Sequence, residues 1–422
     1  MDAAIYCRTS KYNPLEYRAS EGYQYTFGGE FIHFVARSGY KDEPKVDENG
    51  KPLLHRNTAL DYAGKADFLT HGVCVVQDLF KIYYMNYTND VGYTHFHVAC
   101  EFSIVEAVKR FLELGQDTDM IDHRGISPLQ RALYFNRGEV AELLLRGGAD
   151  PIGRSSVTSL QLIIFSSLND GAFAERFLKI TKEMNQLVEV NAKNKDGGLT
   201  TLESAVASLL PNVVDLLLDN GADLSSFVFP SESLIDKRIS SRRRNGSKIV
   251  KLRLASGALG IVECFQKRGY ELNHSCVLAT MKLFAEYEWF DKSSALEQPW
   301  SDDEEFMSKA KEIMMKPNLS FYDLIQLQPE EAEKQLTPRD YFELGISRKL
   351  NWFRSETHEK ACILRLSEIM SRKFFRRWVR DPMWELTGYR LPNLCCDMIN
   401  EHLTNEDLYN IFLAAAGLGS RW

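Results

Sequence analysis

Histidines, cysteines and clustered arginines are the residues of this chain whose types could do chemistry, and their spacing limits what that chemistry is. His95 and His97 stand two apart at the start of a helical stretch. Helical side chains at that spacing do not face one another, so the pair is neither a metal clamp nor a base with its orienting partner. The eight cysteines (Cys7, Cys74, Cys100, Cys264, Cys276, Cys362, Cys395 and Cys396) include no C-x-x-C pair and have no histidine at ligand spacing. That argues against zinc, against a disulfide framework and against a catalytic thiol, and it points to a reducing compartment. No G-x-x-x-x-G-K-[ST], G-x-S-x-G or H-E-x-x-H motif occurs, so the chain reads as non-catalytic, with no cofactor and no metal. Two cation clusters remain, Arg242, Arg243 and Arg244, and Arg372, Lys373, Arg376, Arg377 and Arg380. Solvated faces are the plain account of both. A nuclear-localisation or acidic-partner patch is the sharper account of the first, and an electropositive docking face of the second.

The elements that hold these residues belong to a globular chain of 422 residues, 44% hydrophobic and 26% charged, long enough for two or three units or one elongated array. Against 51 Lys and Arg stand 58 Asp and Glu, a net charge of -7, which ranks nucleic-acid binding last among the functions considered. No run approaches 18 apolar residues, and MDAAIYCRTSKY (1–12) lacks the apolar core of a secretory leader. The expectation is therefore a protein with no membrane partner, in the cytoplasm and, through the Arg242–Arg244 patch, in the nucleus as well.

Self-similarity organises the first two thirds. GYTHFHVA (92–99) recurs as GISPLQRA (125–132) at a spacing of 33 residues, with weaker copies SVTSLQLI (156–163) and GLTTLESA (198–205). VAELLLRGGAD (140–150) and VVDLLLDNGAD (213–223) follow two of them, and VEAVKRFLELG (105–115) is a looser third. This is the ankyrin period and pattern. The Thr or Ser caps a first helix, Pro128 sits at its first position, a leucine run packs a second helix, and Gly148 and Gly221 end it in a left-handed conformation. Such units cannot bury their apolar faces singly and must stack into a solenoid. GGEFIHFVARSG (28–39) reads as an opening copy interrupted by residues 41–51, and NTALDYA (57–63) restarts the pattern. Residues 165–191 extend one helix pair. At the far end, 249–256 with 260–269 read as one more two-helix copy after an inserted loop, 224–245.

Beyond residue 273 the repeat grammar stops. Ser301 followed by Asp-Asp-Glu-Glu predicts a helix running to about Lys316 and ended by Pro317. From Leu319 the spacing of apolar residues predicts an all-helical block. Near its end, Leu391-Pro392 opens a helix with Leu394, Met398, Ile399 and Leu403 on one amphipathic face, and Thr404 to Asp407 recaps a second helix that starts with Leu408.

Leu391, Pro392, Ile399, Leu403, Asp407 and Leu408 resemble the opening of an F-box, the helical motif that docks on the Skp-type adaptor of a cullin-RING ubiquitin ligase. An ankyrin array followed by such a motif resembles the PRANC architecture of poxviral and parasitoid-wasp proteins, and NYTNDVGYTHFHVAC (86–100) is similar to the wasp branch. A full F-box is longer and usually has an acidic residue where this chain has Leu394. The resemblance implies an all-α fold: an extension over 1–27, an ankyrin-repeat solenoid over 28–290, a linker helix over 291–318 and a PRANC/F-box-like domain over 319–418. It implies an adaptor whose solenoid captures a target protein through positions such as Tyr93, His95, Ile126 and Gln130. Leu391, Pro392, Leu394, Met398, Ile399, Leu403 and Leu408 would meet the Skp-type adaptor. The competing expectation is a plain ankyrin scaffold that sequesters a signalling or transcription factor, its C-terminal helices acting as a cap.

Overall fold

Each copy of the repeat becomes helical for the same local reason: a Thr or Ser hydroxyl takes up an orphan N–H at a helix start, while the residue three positions on returns the favour. In the computed structural model, which describes residues 32, 34–61, 73–153, 157–166, 171–194, 198–242, 249–290, 300 and 303–417, Thr94 and Ser127 form such boxes with His97 and Gln130. The contacts divide the chain into two units, Met1–Ser167 with Ala172–Thr201, and Leu168–Gly171 with Leu202–Trp422.

The first unit contains α1 (Val73–Ile82), α2 (His95–Phe102), α3 (Val105–Glu113), α4 (Pro128–Tyr134), α5 (Gly138–Arg146), α6 (Ser159–Ser166) and α7 (Ala172–Glu183). First helices stack on first helices, α2 on α4 and α4 on α6, while second helices stack as α3 on α5 and α5 on α7. Left-handed Ser103 and Asn136 make the tight turns inside two pairs. The leucine run of α5 buries Leu144 and Leu145, and Gly148 takes φ +93° as its role at the helix end requires. Residues 165–191 do supply a second helix, α7. Only Ile32 and residues 34–39 of the expected opening copy are described, as helix and turn. The extension 1–27, Arg243, Arg244 and Ser301 lie outside the described residues.

The second unit runs α8 (Thr201–Ala207), whose first residue belongs to the first unit, then α9 (Pro211–Asp219), α10 (Glu232–Arg242), α11 (Ile249–Lys267) and α12 (His274–Glu286). Two expectations are corrected here. Residues 249–256 and 260–269 do not form a helix pair, because α11 is one helix of 19 residues through Gly257 and Gly260. Both glycines sit within the helix, where their missing side chains permit close contact, Gly257 with Leu209 in the turn before α9 and Gly260 with Pro211 at the start of α9. The inserted loop is itself partly helical, as α10.

Then come α13 (Glu304–Glu312), a two-stranded hairpin of β1 (Met314–Lys316) and β2 (Leu319–Ser320), α14 (Phe321–Gln326), α15 (Pro329–Gln335), α16 (Pro338–Ile346), α17 (Glu356–Leu386), α18 (Asn393–His402) and α19 (Asn405–Ala415). The helix expected to reach Lys316 thus stops at Glu312, since Pro317 turns a hairpin rather than capping a helix, and the cap at its start is Asp303.

The array-like and C-terminal helices of this unit share one core. α11 packs against α9, α16 and α17. A Cβ on Gly345 of α16 would meet the Arg253 backbone of α11 at 3.0–3.1 Å. Arg339 donates to Asn212 at 2.9 Å and pairs with Asp215, which Arg268 also grips at 2.5 Å. Gly257→Ala tests the closeness of this packing. Helix propensity alone favours Ala by about 1 kcal/mol, yet its methyl would strike the Leu209 carbonyl oxygen. The clash should win, with a net loss of about 1–2 kcal/mol and a lower urea midpoint; an equal or higher midpoint would show that the Leu209 turn yields freely.

Candidate partner-binding surfaces

The motif histidines and glutamines are used up by the fold. His97 Nδ1 accepts from the Thr94 N–H at 3.3 Å, which leaves Nε2 to donate to the Ile126 carbonyl of the next turn at 3.1 Å. Gln130 accepts from Ser127 N–H at 3.2 Å and donates to Val157 O at 3.4 Å. Gln161 accepts from Thr158 N–H at 3.2 Å and donates to Leu199 O at 2.9 Å. One side chain therefore caps its own helix and satisfies a carbonyl of the following repeat. His95 is buried too, Nδ1 donating to Met85 O at 3.0 Å and Nε2 lying 2.7 Å from the Thr58 hydroxyl. Tyr93 donates to Glu101 beneath the Arg131 guanidinium, 4.9 Å from its ring, and Arg131 pairs with Asp122 at 3.0 Å.

Tyr93, His95 and Gln130 are consequently core residues, not target contacts, and Ile126 is only half-buried, its carbonyl held by His97. Large apolar side chains that the turns and first helices of this unit expose include Val91, Ile121 and Tyr134. They lie at positions that the repeat's own cap and bridge leave unused, which is the one signal the sequence carried for them.

At the other end of the chain the geometry is inverted. α18 buries only Cys396 and Asn400, while Leu394 is 70% exposed, Met398 is 56% exposed and Ile399 is also exposed. Pro392 is exposed and Leu391 and Leu403 are half-buried. The apolar face of this helix looks outward. Leu408 does not share it: it is fully buried with Phe412 in α19, which packs on α17, so Leu408 is a core residue rather than a contact.

An arginine stripe one helical turn apart on α17 holds α18 in this attitude. Arg372, buried, donates to the carbonyls of Asn400 at 2.9 Å, Glu401 at 3.0 Å and Leu403, and to Asn405 Oδ1 at 3.2 Å. These are the orphan acceptors at a helix C-terminus, where a cation is also favoured by the helix dipole. Arg376 grips Glu401 at 3.0 Å and Glu330 at 2.8 Å, and Arg380 reaches Asp397 at 3.3 Å. Asn405, itself buried, donates to Glu368 O at 3.0 Å and Ser371 Oγ at 2.9 Å. Three of the five clustered cations are thus structural, which removes them from the expected electropositive docking face. Cys396 is buried and Cys395 half-buried, as small packing thiols.

Residues 68–154 match the family model for ankyrin repeats, in three copies. The chain carries an ankyrin-repeat array. Over 139 residues it is 30% identical to neurogenic locus notch homolog protein 1 of Mus musculus, Cricetulus griseus and Homo sapiens, a match that takes in 33% of this chain and 5% of each relative. The chain thus spans a small fraction of the length of those curated relatives. Ankyrin repeats are protein–protein interaction modules, and the fold is an all-α ankyrin solenoid with further helices. No described helix is long and apolar enough to cross a membrane.

Two buried histidines should make the ankyrin array acid-sensitive. Burial pulls His95 down to about 3 and His97 to about 4, since neither site can solvate a second proton. A group whose folded value lies below its unfolded value of about 6.5 supports the fold fully above that pH and less as pH falls toward the folded value. His97→Gln should keep cap and bridge, as Gln130 and Gln161 do, and match the wild type at pH 7.5 to within about 1 kcal/mol. Between pH 6.5 and 4.5 it should lose about 2–3 kcal/mol less stability than the wild type. Parallel pH profiles in urea titrations would refute the bridge, and His97→Ala should be destabilised at every pH.

Proposed function

We propose that this protein is a substrate receptor: its ankyrin array captures a target protein, and residues 319–418, a PRANC/F-box-like block, recruit the Skp-type adaptor of a cullin-RING ubiquitin ligase in the cytoplasm and nucleus. The observation that carries the reading is the outward apolar face of α18, with Leu394, Met398 and Ile399 in solvent beside the Leu391-Pro392 opening. A helix in a chain of this size normally turns such a face to the core. One held outward by charged anchors is suited to a partner's groove, the helix-in-groove mode of recognition. On the array, Val91, Ile121 and Tyr134 are the contacts expected for the target.

The packing of α16 and α17 over α11 favours a second reading, a sequestering ankyrin scaffold whose C-terminal helices are a cap. The two differ over α18. Cutting the chain after Gly388 is a poor test, because it strips from α17 the helix that carries buried Leu408 and Phe412. Surface substitutions avoid the difficulty. Under the receptor reading, Leu394→Glu with Met398→Glu should cost about 2 kcal/mol or more of affinity for purified Skp-type adaptor, measured by titration calorimetry, and leave the melting temperature unchanged. Leu408→Ala should instead lower stability by about 2–4 kcal/mol. A wild-type chain that ignores the adaptor while folded would leave the scaffold.

A further inference from the structure

Two of the five cations clustered on α17, Lys373 and Arg377, do not anchor α18. Both are exposed, they stand one helical turn apart, and they line a cavity of about 240 Å³ walled by α11, α17 and the segment from α15 to α16. Met370, Lys373, Phe374 and Arg377 of α17 lie at i, i+3, i+4 and i+7, and Leu259, Val262, Glu263 and Gln266 of α11 repeat that spacing. Each helix thus gives the cavity one face. Leu259, Val262, Met370 and Phe374 are buried, so most of the lining is apolar. Among the described residues neither Lys373 nor Arg377 forms an ion pair, and Arg377 has only the Trp378 ring, 5.8 Å away. The carboxylates of the lining do not answer them. Glu263 holds Lys267 at 2.9 Å, and burial pushes the Glu333 carboxyl above its ordinary range, against the pull of Lys373, which favours its neutral form. Tyr341, 2% exposed, lines the same cavity, and its hydroxyl has no hydrogen-bond partner among the described residues. A buried hydroxyl normally has one.

We propose that this cavity is a binding site for a small amphipathic carboxylate, a straight-chain acid whose hydrocarbon lies along Leu259, Val262, Met370 and Phe374 and whose charged end meets Lys373 and Arg377. An apolar lining with a few polar groups to fix orientation is the chemistry of a small-molecule site, and the volume suits a short chain rather than a drug-sized molecule or a peptide helix. Two cations without protein counter-ions at the edge of that lining are complementary to an anion, and not to a neutral lipid or an amine. A carboxylate oxygen also supplies the acceptor that the Tyr341 hydroxyl lacks. The site is independent of the receptor reading, since none of its residues lies on α18.

The full chain is titrated with octanoate and, as an uncharged control, with octan-1-ol by calorimetry at neutral pH, and melting temperatures are recorded. Octanoate should saturate a single site and bind more tightly than octan-1-ol. Lys373→Gln and Arg377→Gln should each weaken octanoate about tenfold, leave octan-1-ol unchanged and keep the melting temperature, because both side chains are exposed. Tyr341→Phe should weaken octanoate and keep the melting temperature, since it deletes a hydroxyl that the fold leaves unpaired. Lys360→Gln, an exposed cation of α17 that does not line the cavity, should change nothing. If octanoate does not saturate, or binds no better than octan-1-ol, the cavity is not a carboxylate site and the proposal falls. It falls equally if both glutamine variants bind octanoate like the wild type, or if Tyr341→Phe lowers the melting temperature by many degrees, which would show that the protein itself holds the hydroxyl.

Discussion

A carbonyl at the tip of one repeat, satisfied by a side chain three residues into the first helix of the repeat before it, is the bond on which the array depends. The carbonyls of Ile126 and Leu199 already accept within their own turns, from the N–H groups of Asp122 and Asn194, and each has a second lone pair open to a donor from the preceding repeat. His97, Gln130 and Gln161 supply such donors, one each, and each uses its acceptor to cap its own helix. Two functions on one side chain explain why histidine and glutamine interchange there. Asp61, at the same place after Thr58, accepts from the Thr58 N–H at 2.6 Å but has nothing to donate. Its other oxygen accordingly accepts from the Asn89 amide at 3.0 Å, and Asn89 in turn holds the N–H groups of Val91 and Tyr93. Polarity of the contact reverses, and the connection between repeats survives.

This constraint decides which residues are left for partners. Conspicuous side chains at fixed spacing are those the fold uses, so Tyr93, His95 and Gln130 disappear into the array. The positions between them, occupied by Val91, Ile121 and Tyr134, turn their side chains to the surface because no repeat-to-repeat bond claims those side chains. The same division holds on α17, where arginines one turn apart look like a docking stripe and are bonds to α18 instead.

The helix pairs of the first unit were legible in the sequence because capping residues, leucine runs and glycine ends act within one repeat, at fixed spacing. What escaped was whatever depends on a neighbour distant in sequence. That α11 is continuous follows from its contacts with α9, α16 and α17, which override two glycines of poor helix propensity. The burial of Leu408 follows from α17 lying beneath α19, which a heptad-like spacing cannot reveal. The β1–β2 hairpin was hidden because Pro317 is as compatible with a tight turn as with a helix stop.

The attitude of α18 is the outcome of two opposed terms. Turning Leu394, Met398 and Ile399 inward would gain about 1.5–3 kcal/mol for each side chain fully buried, so hydrophobicity alone favours rotating the helix about its axis. Rotation would pull the Asn400 and Glu401 carbonyls away from Arg372, a buried cation with four acceptors, and separate Arg376 from Glu401 and Arg380 from Asp397. Removing the partners of a buried charge costs about 3–5 kcal/mol for that group alone, and the buried Asn405 at the following turn is tied to the same site. Polar anchors on one side of the helix therefore determine what its apolar side does. The exposed patch is a consequence of how the hairpin is bolted to α17, and a partner that covers it regains the burial energy that the isolated chain leaves unrealised.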